Sequence, residues 1–147
     1  MKRLGWRDAL AKAPQKADVL VVDDELEVRQ AIERLVKRFG YTAKMAASAE
    51  EADQWLSSAR FDVCILDIEL PRMKGVEFLP WALSRDPEMA VIMMTGLDIP
   101  AIAIECIEQG ARTYLVKPVE ADFLRLAIRD ALAMRTLLVE RNDLSPR

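Results

Sequence analysis

The chain of 147 residues contains no histidine and two cysteines, Cys64 and Cys106. Without histidine, Ser–His and Cys–His nucleophile systems are excluded, and the chain has no phosphohistidine donor of its own. The cysteines lie far apart inside apolar segments, without C-x-x-C spacing, so they do not indicate a zinc site. We therefore expect two reduced, buried thiols in a cytoplasmic protein.

Long apolar runs and an excess of positive charge are also lacking. No stretch approaches the ~18 consecutive apolar residues of a membrane span, and the N-terminus has no apolar signal segment. The formal net charge is -3, and because residues 1–17 form a basic leader, the rest of the chain is more acidic still. We expect neither membrane contact nor direct nucleic-acid binding by the domain.

Five short apolar segments alternate with segments of helical periodicity. The strand-like segments are apolar throughout and not alternating, which predicts a parallel sheet buried on both faces. With right-handed crossovers, the fold class is α/β, a doubly wound five-stranded parallel sheet. The predicted strands are residues 19–22, 41–46, 61–66, 90–94 and 113–116, and the predicted helices are 26–39, from 48 onward, 76–84, from 100 to before 110, and 121–140.

The length suits one domain with short appendages. We predict a basic leader over residues 1–17, a domain over 18–135 and a helical extension over 136–147. The extension is interpreted as the start of a coiled coil or a linker, because apolar residues follow a 3-4-3-4 spacing in the last predicted helix. The alternative is a frayed amphipathic helix packed on its own domain. The spaced residues are Leu124, Ala127, Ala131, Met134 and Leu138.

Polar side chains follow four of the five predicted strands: Asp23 and Asp24, Asp67, Thr95 and Lys117. Because ligands of doubly wound folds bind at the carboxyl ends of the strands, we expect these groups to meet at one sheet edge. Converging carboxylates repel unless a cation lies among them, and Mg²⁺ suits such an oxygen-rich cluster. Asp67 could then attack an activated phosphoryl group, with Lys117 and Thr95 meeting its charge.

Four stretches resemble the receiver domains of two-component response regulators, the family of chemotaxis-regulator-like proteins. They are VLVVDD (19–24), DIELPRMKG (67–75), VIMMTG (91–96) and YLVKP (114–118). The resemblance covers about residues 18 to 135. It implies a flavodoxin-like (βα)5 fold with strand order 2-1-3-4-5. It also implies Mg²⁺-dependent phosphoryl transfer from a partner phosphohistidine to an aspartate, in a protein that is not an enzyme beyond slow self-dephosphorylation.

The resemblance assigns roles to the acidic residues. Asp67 would be the phosphoacceptor. The Mg²⁺ ligands would be Asp24 directly, Asp23 partly through water, Asp67, and the backbone carbonyl of Glu69.

The remaining roles concern phosphoryl binding and switching. Thr95 and Lys117 would bind the phosphoryl oxygens, and the peptide before Pro118 is a candidate cis bond that would aim Lys117 at the site. Thr95 and Tyr114 would be the switch residues that reshape the face formed by the fourth helix, fifth strand and fifth helix. The side chains of Glu69 and Leu97 would flank the path of attacking water, and the bulky Leu97 would hinder water and lengthen the life of the phosphoryl group.

The partners implied are a sensor histidine kinase or phosphotransfer protein, a homodimer through the fourth and fifth helices, or an output domain or protein absent from this chain. The alternative function is a Mg²⁺-dependent phosphatase with an aspartate nucleophile. That chemistry usually places D-x-D after the first strand, whereas the spaced pair Asp67 and Glu69 follows the third. A nucleotide or flavin site is disfavoured, because no Gly-rich loop follows the first strand.

Overall fold

A computed structural model describes residues 5–7, 16–96 and 99–144, with side chains described as far as residue 137. One sheet contains five strands, all parallel to their neighbours, in the order β2-β1-β3-β4-β5. The strands are β1 (Asp18–Val22), β2 (Thr42–Ala46), β3 (Val63–Asp67), β4 (Ala90–Thr95) and β5 (Thr113–Val116). The predicted fold class and strand order are confirmed.

Five helices connect and follow these strands: α1 (Leu26–Arg38), α2 (Ala49–Ser58), α3 (Gly75–Arg85), α4 (Pro100–Glu108) and α5 (Ala121–Leu144). Their boundaries lie within a few residues of the prediction, although α5 runs past the predicted end at residue 140. Ser48 caps α2, since its side chain accepts a hydrogen bond from the Glu51 backbone N–H. Gly40 and Gly110, which follow α1 and α4, adopt positive φ values of 96° and 112°, as helix-ending glycines do.

The apolar residues of the sheet divide between two faces. Leu20 and Val22 of β1 belong to a core covered by α2, α3 and α4, whereas Val19 and Val21 belong to a core covered by α1 and α5. Alternate residues of a buried strand point to opposite faces, so a continuous apolar strand serves both cores. The carboxyl ends of the strands therefore converge at one edge of a sheet that is covered on both sides.

Both cysteines are free and buried, as predicted. Burial raises the pKa of Cys64 to about 12, and burial also raises the pKa of Cys106. Because the thiolate is the reactive form of cysteine, neither thiol is activated for chemistry.

The interpretation of residues 136–147 as the start of a coiled coil or a linker stays a prediction. Leu124, Ala127 and Ala131 are buried in the core shared by α1, α5 and the sheet, so this stripe packs on its own domain. Met134 is 44% exposed. The side chain of Leu138 lies outside the described residues, as do residues 145–147 of the predicted extension.

Most of the predicted leader, residues 1–4 and 8–15, also lies outside the described part of the chain. Trp6 is exposed, whereas Ala17 is buried in the core next to β1. The assignment of residues 1–17 as a basic leader stays a prediction. Among the described residues, even the long helix α5 is too polar to cross a lipid bilayer.

The loop between β3 and α3 folds tightly against the end of β3. The Gly75 N–H donates to the Ile68 carbonyl at 2.9 Å. A Cβ atom at Gly75 would overlap the backbone carbonyl of Asp67 and lie 2.9 Å from Ile68 Cα. Residue 75 must therefore be glycine for the backbone of Asp67 to keep its position.

Replacing Gly75 with alanine tests this close approach. We expect Gly75→Ala to lower the free energy of unfolding by about 2–4 kcal/mol, because backbone atoms must move to admit the methyl group. Gly96→Ala is the matched control, since a Cβ there meets Glu69 Oε2 at an ordinary 3.6 Å. Urea denaturation measures both. Equal effects of the two substitutions would contradict the argument.

Candidate functional site

The structure brings the predicted strand-end residues together at the carboxyl edge of the sheet. Asp23 follows β1, Asp67 ends β3, Thr95 ends β4 and Lys117 follows β5. The Lys117 Nζ atom lies 2.7 Å from Asp23 Oδ2 and 3.1 Å from Asp67 Oδ2. Asp23, Asp67 and Thr95 are each less than 5% exposed, and the side chain of Lys117 is 13% exposed. An ammonium group and two buried carboxylates therefore form the centre of the site.

Each buried carboxylate is held by the loop that follows it. Asp23 Oδ1 accepts a hydrogen bond from the Glu25 N–H at 2.9 Å, and Asp67 Oδ1 accepts one from the Glu69 N–H at 3.0 Å. In both residues the second oxygen, Oδ2, is the atom that faces Lys117. These turns leave one oxygen of each carboxylate oriented toward the centre of the site.

The backbone of Lys117 is positioned by the neighbouring strand. Its N–H donates to the Thr95 carbonyl at 2.8 Å, which fixes Lys117 beside the end of β4. The Lys117–Pro118 peptide bond is cis, as the sequence predicted. From this anchor the side chain extends across the sheet edge to the ends of β3 and β1.

Burial and the neighbouring charges shift the pKa values of Asp67 and Lys117. Burial raises the pKa of Asp67 above its ordinary value, the Glu69 N–H lowers it, the Asp23 charge raises it and Lys117 lowers it, with a net rise. Burial acts to lower the pKa of Lys117, but the hydrogen bonds and charges of Asp23 and Asp67 outweigh burial and raise it. Lys117 is therefore a firmly protonated cation, and the negative charge on Asp67 is disfavoured by its surroundings.

A cluster of acidic oxygens lies at the end of β1. One carboxylate oxygen each of Asp23, Asp24 and Glu25 lies within 4.8 Å of the others. Asp23 Oδ2 is buried and accepts no well-directed hydrogen bond from the described residues, although Lys117 Nζ lies near enough for an ion pair. Hard divalent cations such as Mg²⁺ bind carboxylate oxygens of this kind, so these residues fit such an ion.

Sequence reasoning missed the contribution of Glu25. Its carboxylate belongs to the acidic cluster and lies 3.8 Å from Lys117 Nζ. The signal was present in the sequence, because Glu25 is the third of three consecutive acids. Asp67 lies outside this three-residue cluster and is joined to it through Lys117.

The side chain of Glu69 contacts Thr95, a contact that the sequence reasoning did not predict. The Thr95 hydroxyl donates a hydrogen bond to Glu69 Oε1 at 3.4 Å. Tyr114, the other predicted switch residue, is half-buried in β5 and packs against the core beneath α2, α3 and α4. Leu97, which was predicted to hinder water, lies outside the described residues.

The raised pKa of Asp67 makes the ionised carboxylate unfavourable for folding. A carboxyl whose folded-state pKa is raised contributes stability below its unfolded pKa and loses it as pH rises through the folded pKa. We therefore expect Asp67→Asn to raise the free energy of unfolding by roughly 1 kcal/mol at neutral pH, in buffer without divalent ions. The gain should shrink as pH falls and the wild-type side chain becomes neutral.

Urea denaturation between about pH 4 and pH 8 measures this difference. The control is Asp130→Asn on the exposed side of α5, where we expect a change within ~0.5 kcal/mol. A variant less stable than wild type at neutral pH, or a gain that grows as pH falls, would refute the assignment of an unfavourable buried charge to Asp67.

Comparison with known proteins identifies the family to which this fold belongs. A family model described as the response regulator receiver domain matches residues 19–129. The C4-dicarboxylate transport transcriptional regulatory protein DctD of Rhizobium meliloti is 35% identical over 127 residues, covering 86% of this chain and 27% of that protein. A cyclic di-GMP phosphodiesterase of Thermotoga maritima is 33% identical over 125 residues, covering 85% of this chain and 33% of that protein. This chain thus spans about a quarter to a third of these relatives.

Among solved structures, a response regulator receiver domain from Clostridium thermocellum superposes with a TM-score of 0.78 at 35% sequence identity. The match covers 83% of this chain and 98% of that one, so it includes nearly a whole receiver domain. The chain belongs to the response regulator receiver domain family of two-component signalling systems.

Proposed function

We propose that this receiver domain accepts a phosphoryl group on Asp67 from a phosphohistidine of a sensor histidine kinase or phosphotransfer protein. The observation that carries the proposal is the buried Asp67 carboxylate, whose Oδ2 lies 3.1 Å from Lys117 Nζ at the carboxyl edge of the sheet. The donor histidine lies outside this sequence, which contains none.

In the transfer, an Asp67 carboxylate oxygen forms a P–O bond as the P–N bond of the donor breaks. The imidazole leaves with the electron pair of that bond and takes up a proton. The Lys117 ammonium, already beside Asp67 Oδ2, meets the negative charge on the transferring oxygens. The Thr95 hydroxyl, at the end of the adjacent strand, is the second donor for these oxygens.

The acidic cluster would hold a Mg²⁺ ion. Asp23, Asp24 and Glu25 offer the grouped oxygens, and the Asp67 carboxylate and Glu69 backbone carbonyl are the further ligands implied by the family resemblance. A bound divalent cation supplies positive charge that stabilises the phosphoryl oxygens. The buried Asp23 Oδ2, which lacks a well-directed hydrogen bond from the described residues, supports this use of the cluster.

We infer a phosphoacceptor with slow self-dephosphorylation in place of an enzyme that turns over a substrate. The match of residues 19–129 to a receiver-domain model supports a signalling role. Residues 18–135 would act as the receiver unit. The last residue of this range, Arg135, ties α5 to the body: its guanidinium lies 3.2 Å from Asp62 Oδ1 and donates to the Glu88 carbonyl at 3.2 Å.

Incubation with acetyl phosphate and Mg²⁺, followed by intact mass measurement, tests the acceptor assignment. We expect the wild-type protein to gain one phosphoryl group and Asp67→Ala to gain none, because the nucleophilic oxygens are removed. Asp130→Ala, which removes an exposed carboxylate on α5, should gain as much as wild type. No gain by wild type, or a gain retained by Asp67→Ala, would refute the proposal.

The face that would respond is formed by α4, β5 and α5. Large apolar side chains are exposed there, and they are Ile104, Ile107, Val116, Phe123, Leu126 and Met134. A groove of about 610 Å³ runs between the end of α4 and the middle of α5. Exposed apolar area of this extent is typical of interaction surfaces. We propose that phosphorylation alters this face through Thr95 and Tyr114 and so controls a homodimer, an output domain or an output protein.

Analytical ultracentrifugation with and without beryllium fluoride and Mg²⁺ tests the homodimer. We expect the average mass to rise with protein concentration when the phosphoryl mimic is present, and Leu126→Arg to weaken association about tenfold or more, because it places a charge in an apolar interface. Leu26→Arg is the matched control, since Leu26 is 54% exposed on α1 and Leu126 is 56% exposed on α5. Equal effects of the two substitutions would contradict the assignment of this face.

A further inference from the structure

The side chain of Glu69 lies across the end of β4, where it contacts Thr95. The Glu69 N–H is held by Asp67 Oδ1 at 3.0 Å, which anchors its backbone beside the acceptor. From there Oε1 reaches Thr95 Oγ1 at 3.4 Å, and Oε2 lies 3.6 Å from the position of a Cβ at residue 96. The Glu69 carboxylate therefore lies over the end of β4, beside Thr95 and Gly96.

Thr95 is largely shielded from solvent, and its backbone is held in place. The backbone of Thr95 is fixed, because its carbonyl accepts from the Lys117 N–H at 2.8 Å, and the residue is only 4% exposed. A threonine hydroxyl carries one proton and donates to one acceptor at a time. If that proton is directed to Glu69, it is not available to an oxygen on Asp67.

We propose that Glu69 is a positioning residue whose carboxylate competes with the phosphoryl group on Asp67 for the hydroxyl proton of Thr95. The inference rests on the proposed function of Asp67 as acceptor. In the unphosphorylated protein the hydroxyl is held by Glu69. Phosphorylation introduces anionic oxygens that accept the same proton and repel the Glu69 carboxylate, so Thr95 changes partner and Glu69 leaves the end of β4. Glu69 thus stabilises the arrangement in which Thr95 donates to Glu69. The phosphoryl group must interact with Thr95 strongly enough to outweigh this stabilisation before Thr95 changes partner.

The competition can be measured with beryllium fluoride and Mg²⁺, which mimic the phosphoryl group without its hydrolysis. Glu69→Ala removes both the competing acceptor and a negative charge. We expect it to tighten binding of the mimic about fivefold or more, since a hydrogen bond to a charged group contributes at least that much. Glu69→Gln keeps an acceptor oxygen without the charge, so its effect should be smaller than that of Glu69→Ala.

A double-mutant cycle separates competition from a change in charge alone. In a Thr95→Val background the hydroxyl is gone, so Glu69→Ala should lose most of its effect and change binding by less than about twofold. Thr95→Ser retains a hydroxyl and should retain the effect. Glu108→Ala, at the far end of α4, removes the same charge from an exposed position and should leave binding unchanged in either background. Circular dichroism confirms that each variant is folded.

The outcomes distinguish this inference from the function on which it rests. An equal gain from Glu69→Ala with and without the Thr95 hydroxyl would overturn the competition, as would no gain in the wild-type background. If wild type binds no beryllium fluoride and takes no phosphoryl group from acetyl phosphate, the acceptor function itself fails. Binding by wild type together with a gain that depends on Thr95 supports both.

Discussion

Two buried carboxylates and one ammonium group meet at the carboxyl edge of the sheet, and the chemistry of the domain depends on the balance among these charges. Lys117 Nζ lies within 3.1 Å of an oxygen of Asp67 and within 2.7 Å of an oxygen of Asp23. Burial removes both carboxylates from water and raises the pKa of Asp67. The single positive charge of Lys117 does not offset this effect, so the pKa remains raised. This imbalance favours a cation bound beside Asp23, in line with the Mg²⁺ site proposed above. Three largely buried charged groups with this imbalance contribute little to stability. Their balance can be shifted by a ligand or a covalent group, as a switch requires.

The topology makes this meeting possible. The strand order β2-β1-β3-β4-β5 places the end of β4 between the acceptor and Lys117, and the hydrogen bond from the Lys117 N–H to the Thr95 carbonyl joins the two strand ends. Thr95 and Lys117 are thereby joined by a backbone hydrogen bond, and both residues lie at the site. A change at Asp67 that draws the Thr95 side chain can therefore reach β5 and Tyr114, which lie next to the exposed apolar face of α4 and α5. The relatives include a transcriptional regulatory protein and a phosphodiesterase, which is compatible with one kind of switching unit serving several outputs.

The sequence predicted the sheet and the approach of the strand-end residues because both follow from local patterns. Apolar strands of four to six residues indicate a sheet covered on both faces, and the carboxyl ends of parallel strands must meet at one edge. The contact of Glu69 with Thr95 could not be predicted in this way, since it depends on where a side chain lies above a neighbouring strand. Likewise, the spacing of Leu124, Ala127 and Ala131 is common to a coiled coil and to a helix packed on its own sheet. The position of α5 against the core shows that these three residues pack on their own domain.

The claim at the centre of the account is that Asp67, among several neighbouring carboxylates, carries the phosphoryl group. Borohydride reduces an acyl phosphate to an alcohol and leaves free carboxylates intact, so it converts a phosphorylated aspartate into homoserine. Reduction of the phosphorylated protein, followed by peptide mapping with tandem mass spectrometry, locates the modified residue. We predict homoserine at position 67 and unmodified aspartate at positions 23 and 24. Homoserine at either of those positions with Asp67 unmodified would contradict it.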